Sequence, residues 1–354
     1  MAKKILVVDD SALVRKQLGS LLEDEGYEVD FAKNGQVACE KAMEVQYNAI
    51  TMDINMPVMD GITAVKHIMK DSPTPIVMVS SLTTEDAGPT MEALELGAID
   101  CIAKPGTSNL GLRNTADDIL AYVKSASRIP RRRLEKRIQE ATKSLERREA
   151  RRRAPAEKTD SSTPATKVVL IGSSTGGPGL LEDICASLPA DYPFAVCIVQ
   201  HMPEKFTEAF AKRLDRSSSL PVYEASNNQE LMQSTVYLAK GGKHLHFRKK
   251  VSGKIVLRLE DSSEKRFFTP SVDEMYESAL EVFEPQNMLG VLLTGIGDDG
   301  ADGMVGLKNA GTHTLAESEE TATVYGMPKE AYLRGGVSEK LPFPKILEKI
   351  SRYR

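Results

Sequence analysis

The chain has 354 residues, more than double the roughly 150 of an ordinary domain, so two domains are expected. With 41% hydrophobic and 27% charged residues it reads as globular, neither collagen-like nor disordered. The net charge of −4 is uneven: residues 1–123 carry 10 basic and 19 acidic side chains, residues 124–153 carry 13 and 4, and residues 154–354 carry 23 and 27. The apolar run Ile5–Val8 stops at Asp9-Asp10, too soon for a signal peptide. No later run nears the roughly 18 apolar residues of a membrane span, so a cytoplasmic protein without membrane insertion is expected. Cys39, Cys101, Cys185 and Cys197 lie far apart without a CxxC, which supports neither zinc nor disulfides and suggests buried small hydrophobes.

In residues 1–123 five short apolar runs alternate with helical patterns: Ile5–Val8, Val29–Phe31, Ala49–Met52, Ile76–Val79 and Ile99–Ala103. That rhythm predicts an α/β domain with a doubly wound parallel sheet, whose active groups gather at the C-terminal ends of the strands. Asp9 and Asp10 end the first run and Asp53 ends the third, so three carboxylates should share one cleft. Clustered anions repel, and a hard cation such as Mg²⁺ relieves them through oxygen ligands. Ser80 and Lys104-Pro105 close the fourth and fifth runs, where a hydroxyl and an ammonium can contact a phosphoryl oxygen.

This set, Asp9-Asp10, Asp53-Ile54-Asn55-Met56-Pro57, Asp60-Gly61, Ser80 and Lys104-Pro105, resembles the receiver domain of two-component response regulators, with its flavodoxin-like fold. The resemblance implies that Asp53 accepts a phosphoryl group from a histidine kinase. It further implies that Asp9, Asp10 and Asp53 hold Mg²⁺, and that Ser80 and Lys104 transmit the change. Receivers usually carry an aromatic residue three positions before the lysine, where this chain has Cys101. Coupling is therefore expected to run through Ser80 and its loop.

Residues 124–165 read as a basic helical and flexible linker between the domains. Arg131-Arg132-Arg133 and Arg151-Arg152-Arg153 bracket a helical pattern with one apolar stripe at Leu134, Ile138, Ala141 and Leu145. The segment from Ala154 to Pro164 lacks periodicity and reads as flexible. A solvated helix extending the first domain is favoured over a docking surface, and no aromatic residue between Arg128 and Arg153 offers base stacking. With no helix-turn-helix pattern after residue 166 and a slightly acidic C-terminal part, nucleic-acid binding is not expected.

In residues 166–354 the run Lys167–Ile171 leads into Gly172-Ser173-Ser174-Thr175-Gly176-Gly177-Pro178 and then a helical pattern, Leu180–Leu188. Gly-x-Ser-x-Gly between strand and helix is the context of a nucleophilic serine, projected where helix N–H groups can bind an oxyanion. The loop Gly172–Pro178 itself matches neither Gly-x-Gly-x-x-Gly nor a Walker loop. An activated serine needs an imidazole. His67 falls in the first domain, His201 follows the run Phe194–Val199, His244 and His246 flank Leu245 as substrate-side or solvated residues, and His313 opens the run Thr312–Ala316. Topology favours His201. The orienting carboxylate should close another strand, and the run Met288–Thr294 leaves two neighbours, Asp298 and Asp299.

Gly172–Gly177, Gln200-His201-Met202-Pro203, Pro270-Ser271-Val272-Asp273, Leu293–Gly300 and Tyr325-Gly326-Met327-Pro328 resemble the catalytic domain of the CheB methylesterases, with a Rossmann-like fold. The resemblance implies a serine hydrolase with Ser174 as nucleophile, His201 as base and Asp299 as the orienting acid, without a cofactor in this domain. Relatives often carry Asn where this chain has Asp298, which adds a charge beside the triad. The implied reaction is hydrolysis of glutamate γ-methyl esters on methyl-accepting chemotaxis receptors, with deamidation of receptor glutamines, and a CheA-type histidine kinase as phosphodonor. Backbone N–H groups near Thr175 and Ile296 are expected to form the oxyanion hole. An open groove with an exposed triad is expected, with Pro270–Asp273 and Tyr325–Pro328 among its specificity loops. The unphosphorylated receiver is expected to cover it.

Overall fold

The computed structural model describes residues 2–81, 83–104, 112–135, 138–139, 158, 161–261 and 268–354. The chain divides into two compact units, residues 1–143 and 144–354.

The first unit holds a five-stranded parallel sheet of β1 (Lys4–Val8), β2 (Glu28–Ala32), β3 (Ala49–Asp53), β4 (Ile76–Ser80) and β5 (Asp100–Ala103), in the order β2-β1-β3-β4-β5. Its helices are α1 (Ala12–Asp24), α2 (Gly35–Glu44), α3 (Gly61–Asp71), α4 (Thr84–Glu95) and α5 (Leu112–Ala126). Four of them start on side-chain caps, where Ser11, Asn34, Asp60 and Thr83 accept from Val14, Val37, Thr63 and Asp86 N–H respectively. The predicted strands stand within one residue of the observed ones. β3 and β4 each take in one more residue because Asp53 pairs with Val79 and Ser80 with Ala103, which fixes both candidate site residues on the sheet itself.

The second unit holds seven parallel strands: β6 (Val168–Ser173), β7 (Ala195–Gln200), β8 (Val222–Glu224), β9 (Thr235–Leu238), β12 (Met288–Leu292), β13 (His313–Glu317) and β14 (Glu339–Leu341). Their order is β14-β13-β12-β6-β7-β9-β8. Around them lie α6 (Gly177–Ser187), α7 (Thr207–Ser217), α8 (Val272–Leu280), α9 (Ala301–Ala310), α10 (Met327–Leu333) and α11 (Phe343–Arg352). β6, β7 and β12 are buried at every position, as a parallel sheet covered on both faces requires, and this is why they read as unbroken apolar runs. β12 stops at Leu292 rather than Thr294 because the Thr294 N–H turns to the buried carboxylate of Glu317, at 2.9 Å.

An antiparallel hairpin, β10 (Lys243–Lys249) with β11 (Ile255–Asp261), stands apart from the parallel plan. It sends Leu245, Phe247, Ile255 and Leu257 into the same core as Tyr276 and Met275 of α8. Of the basic segment, residues 131–135 form a helical turn on which Leu134 is buried, while Ala141 and Leu145 of the predicted stripe lie outside the described residues. The end of the predicted flexible segment is tied down, since Pro164 bridges Met232 and the Ala165 N–H donates to Leu231 O at 2.8 Å. Leu170, fully buried on the central strand, sets a stability test: Leu170→Ala should cost about 2–5 kcal/mol in denaturant titrations of the second unit's unfolding transition.

Candidate active site

Ser174 leaves β6, His201 leaves β7, and Asp299 lies in the loop after β12. β6 stands between β7 and β12, so three loops from separate stretches of chain meet at one edge, at the point where strand order reverses. The turn around Ser174 is tight. Gly176 takes φ +82°, and a Cβ there would lie 2.5 Å from Thr323, so only glycine suits both backbone and space. The Ser174 N–H donates to Thr294 O at 3.0 Å. Gln200 clamps the two neighbouring loops: its Oε1 accepts from Ser173 Oγ at 2.6 Å, and its Nε2 donates to Ser174 O and His201 O at 2.9 and 3.0 Å.

His201 Nε2 meets Asp299 Oδ2 at 2.8 Å. The carboxylate also accepts from Ser271 Oγ at 2.6 Å, the Val272 N–H at 2.7 Å and the Asp273 N–H at 3.2 Å, all at the N-terminus of α8. Burial pushes the Asp299 carboxyl up, but the His201 hydrogen bond and charge, with the bonds from Ser271 and Val272, outweigh it and lower the pKa to about 2. An imidazole that donates from Nε2 keeps Nδ1 as its acceptor. His201 Nδ1 and Ser174 Oγ are both buried, and neither has a hydrogen-bond partner among the described residues. The His201 ring stacks on Phe268, with centroids 4.0 Å apart and planes 12° apart. Against the expectation of an exposed triad, Ser174, His201 and Asp299 are 0%, 4% and 9% exposed. Phe268 lies on the imidazole, and a Cβ on Gly295 would meet Ser174 Cβ at 2.8 Å and Met327 Sδ at 2.1 Å.

Neither the Thr175 nor the Ile296 N–H donates to another group among the described residues, and Ile296 directly follows the Gly295 that abuts Ser174. α6 has no side-chain cap at its N-terminus, which leaves that end open to an anion. Thr294 fastens this loop to the nucleophile turn through Oγ1, which donates to Thr175 O at 2.8 Å. Asp298 turns outward into an ion pair with Arg334, which also holds Asp302 at 2.8 Å, so its charge is met at the surface rather than at His201.

The loops around the site also make contacts that the sequence reading did not assign. Ser271, Val272 and Asp273, within the expected specificity loop Pro270–Asp273, supply donors to Asp299. Gly326 and Met327 donate to Gly295 O at 3.2 and 3.0 Å and so brace the loop that carries Ile296. His244, expected at the substrate side or in solvent, is buried and accepts the Ser271 N–H, because hairpin β10–β11 packs against α8. His246 pairs with Glu274 at 3.1 Å and His313 with Glu339 at 2.9 Å. Phe268 and Glu317 carry no local motif, and only the distant contacts they make give them away.

In the first unit, Lys104 Nζ bridges Asp53 at 2.8 Å and Asp9 at 3.0 Å. Ligand oxygens of Asp9, Asp10 and Asp53 lie within 4.8 Å of one another, a donor set of hard oxygens that fits Mg²⁺. Burial raises the Asp53 carboxyl above its usual range, Lys104 opposing and Asp9 adding to the rise. Ser80 Oγ donates to Asp86 Oδ2 at 3.1 Å, and Asn55 Nδ2 to Asp86 Oδ1 at 2.8 Å, so α4 engages the switch hydroxyl through a residue that the sequence reading passed over. Cys101 is buried with its thiol pushed up by that burial, a packed small side chain at the position where an aromatic residue is usual.

The lowered Asp299 carboxyl sets a pH prediction. An acid with an ordinary value of 3.8 and a folded value of about 2 contributes stability that is fully present above about pH 4 and lost as pH falls toward 2. Asp299→Asn should flatten that acid limb in pH-dependent denaturant titrations, and an unchanged limb contradicts the assignment.

Two family models match the chain, the response regulator receiver domain over residues 5–113 and CheB methylesterase over residues 169–350. A protein-glutamate methylesterase/protein-glutamine glutaminase of Carboxydothermus hydrogenoformans is 46% identical, over 98% of each chain. Another, from Caldanaerobacter subterraneus, is 45% identical over 100% of this chain and 98% of its own. The crystal structure of the Thermotoga maritima CheB methylesterase catalytic domain is 38% identical with a TM-score of 0.51, covering 54% of this chain and 100% of that one. No helix among the described residues is long and apolar enough to cross a membrane. The chain belongs to the CheB methylesterase family and carries a response regulator receiver domain ahead of the methylesterase domain.

Proposed function

We propose that the chain is a serine hydrolase that removes methyl groups from glutamate γ-methyl esters of chemoreceptors and deamidates receptor glutamines, and that phosphorylation of Asp53 activates it. The observation that carries the catalytic part is the pair of buried, unpartnered atoms Ser174 Oγ and His201 Nδ1, with Nε2 of the same ring bound to Asp299 at 2.8 Å. A buried hydroxyl and a buried imidazole nitrogen without partners are costly to leave so, and a hydrogen bond donated by Ser174 Oγ to His201 Nδ1, formed as a substrate carbonyl docks on the far side of the hydroxyl, would use both.

In this mechanism Ser174 Oγ attacks the γ-carbonyl carbon as His201 Nδ1 takes its proton. Asp299 stabilises the resulting imidazolium through Nε2. The oxyanion is received by the Thr175 and Ile296 N–H groups, which donate to no other group among the described residues. The imidazolium returns its proton to the departing methoxide, or to the departing amine in deamidation, and the bond to the acyl carbon breaks. Water, activated by the same nitrogen, then releases the carboxylate and frees Ser174. Such hydrogen bonds are often long before substrate binds and tighten in the complex.

For the receiver, Asp53 is the phosphoacceptor, with a CheA-type histidine kinase as donor. Asp9, Asp10 and Asp53 would hold Mg²⁺, which when bound supplies positive charge to the phosphoryl oxygens. Lys104, already on Asp53 and Asp9, contacts the phosphoryl group, and Ser80 leaves Asp86 to do the same. The residues 1–123, 124–165 and 166–354 serve as receiver, linker and catalytic domain in this reading.

Methanol release from methylated receptor tests the chemistry. Ser174→Ala should lose at least about a thousandfold in kcat, while Ser173→Ala keeps activity within about tenfold. Full activity in Ser174→Ala overturns the reading. With the full chain, a small phosphodonor such as acetyl phosphate plus Mg²⁺ should raise the rate, and Asp53→Asn should not respond. An equal rate with and without the donor in the unaltered chain removes the activation model.

A further inference from the structure

We infer that His244 is a positioning residue for the acid of the triad, acting through the main chain of Ser271. The inference rests on the catalytic reading above and adds to it a part for a histidine that the reaction itself does not use.

His244 is 2% exposed and accepts the Ser271 N–H on Nδ1 at 3.2 Å. Accepting there fixes the neutral tautomer with its proton on Nε2. Ser271 is the cap of α8, its Oγ accepting from the Glu274 N–H at 3.4 Å and donating to Asp299 Oδ1 at 2.6 Å. The next two residues each give a backbone N–H to the same carboxylate. Three of the four donors that hold Asp299 thus come from one turn, and His244 anchors the first residue of that turn.

The sequence Ser271-Val272-Asp273-Glu274 has the form of a capping box, in which the acidic side chain three residues on would reach back to the cap N–H. Here Glu274 Oε2 meets His246 Nε2 at 3.1 Å, and the Ser271 N–H goes to His244 instead. The alternation of β10 thereby divides two tasks: His246 engages the glutamate and His244 replaces it at the cap. A neutral acceptor in that place has a consequence for the acid. A glutamate bound to the Ser271 N–H would add a further negative charge next to the buried Asp299, in a turn that already carries Asp273, whereas an imidazole nitrogen holds the turn without adding one.

Side-chain replacement in the full-length protein separates positioning from mere filling. Asparagine carries an oxygen close to where Nδ1 stands, while the longer glutamine places its amide nearer Nε2. His244→Gln should lower kcat by about tenfold or more with KM within about twofold, the scale on which outer partners of catalytic groups act. His244→Asn should restore kcat to within about threefold of the unaltered chain. Wild-type kcat in His244→Gln, or equal losses in both variants, overturns the inference. ¹⁵N-histidine NMR of the unaltered protein decides the matter even if the glutamine variant fails to fold: a proton on Nε2 of His244 is expected, and a proton on Nδ1 rules the contact out. If Ser174→Ala remains active, the catalytic reading has failed; if Ser174→Ala is dead and His244→Gln is fully active, only this inference has.

Discussion

A single buried carboxylate governs the arrangement of the catalytic unit. Asp299 is 9% exposed, and a charge so placed is expensive unless it is paired and fully hydrogen-bonded. The chain meets the cost with Ser271 Oγ, two backbone N–H groups and the His201 ring, at the end of α8 where the helix dipole favours a negative charge. Because the carboxylate cannot move without abandoning several of these bonds, the imidazole it holds has one orientation. Nε2 is committed to Asp299, and Nδ1 is left as the acceptor. Phe268, flat against the ring, restricts the remaining rotation.

Sheet order then does for the loops what Asp299 does for the ring. β6 between β7 and β12 puts the serine turn in the middle, with the histidine loop on one side and the acid loop on the other. The first unit uses the same device on a smaller sheet. β1 and β3 are neighbours, so Asp9 and Asp53 come together although 43 residues separate their positions in the chain, and Lys104 reaches both from the end of β5. In each unit the candidate site sits where strand order reverses, and the helices supply either caps or open N–H groups there. Gln200 and Thr294 have no reacting role in this scheme, yet each bonds two loops and so limits their independent motion.

Much of this was legible in the sequence because the central strands are buried on both faces and must be apolar throughout, which makes their ends easy to find. Candidate side chains placed at those ends, Asp9, Asp53, Ser80, Ser174 and His201, stand out by that rule as a set, and the resemblance to known families supplies the role expected of each. The choice between Asp298 and Asp299 could not be made from local pattern, since both follow the same strand. It turns on Arg334, just past the C-terminus of α10 and 36 residues away in sequence, which draws Asp298 outward. Phe268, Glu317, Asp86 and His244 were missed or misplaced for the same physical reason. Each acts across a tertiary contact that no short motif encodes, and His244 in particular depends on a hairpin that the alternating rhythm of strands and helices did not announce.

The central claim is that His201 Nδ1 activates Ser174 on a framework set by Asp299. Covalent labelling of the full chain with a fluorophosphonate, read by peptide mass spectrometry, tests it most directly. The account predicts one phosphonyl group on Ser174 in the unaltered chain, with labelling slowed at least about a hundredfold in His201→Ala. Modification of Ser173 in its place, or labelling of Ser174 at the same rate without the imidazole, would contradict it.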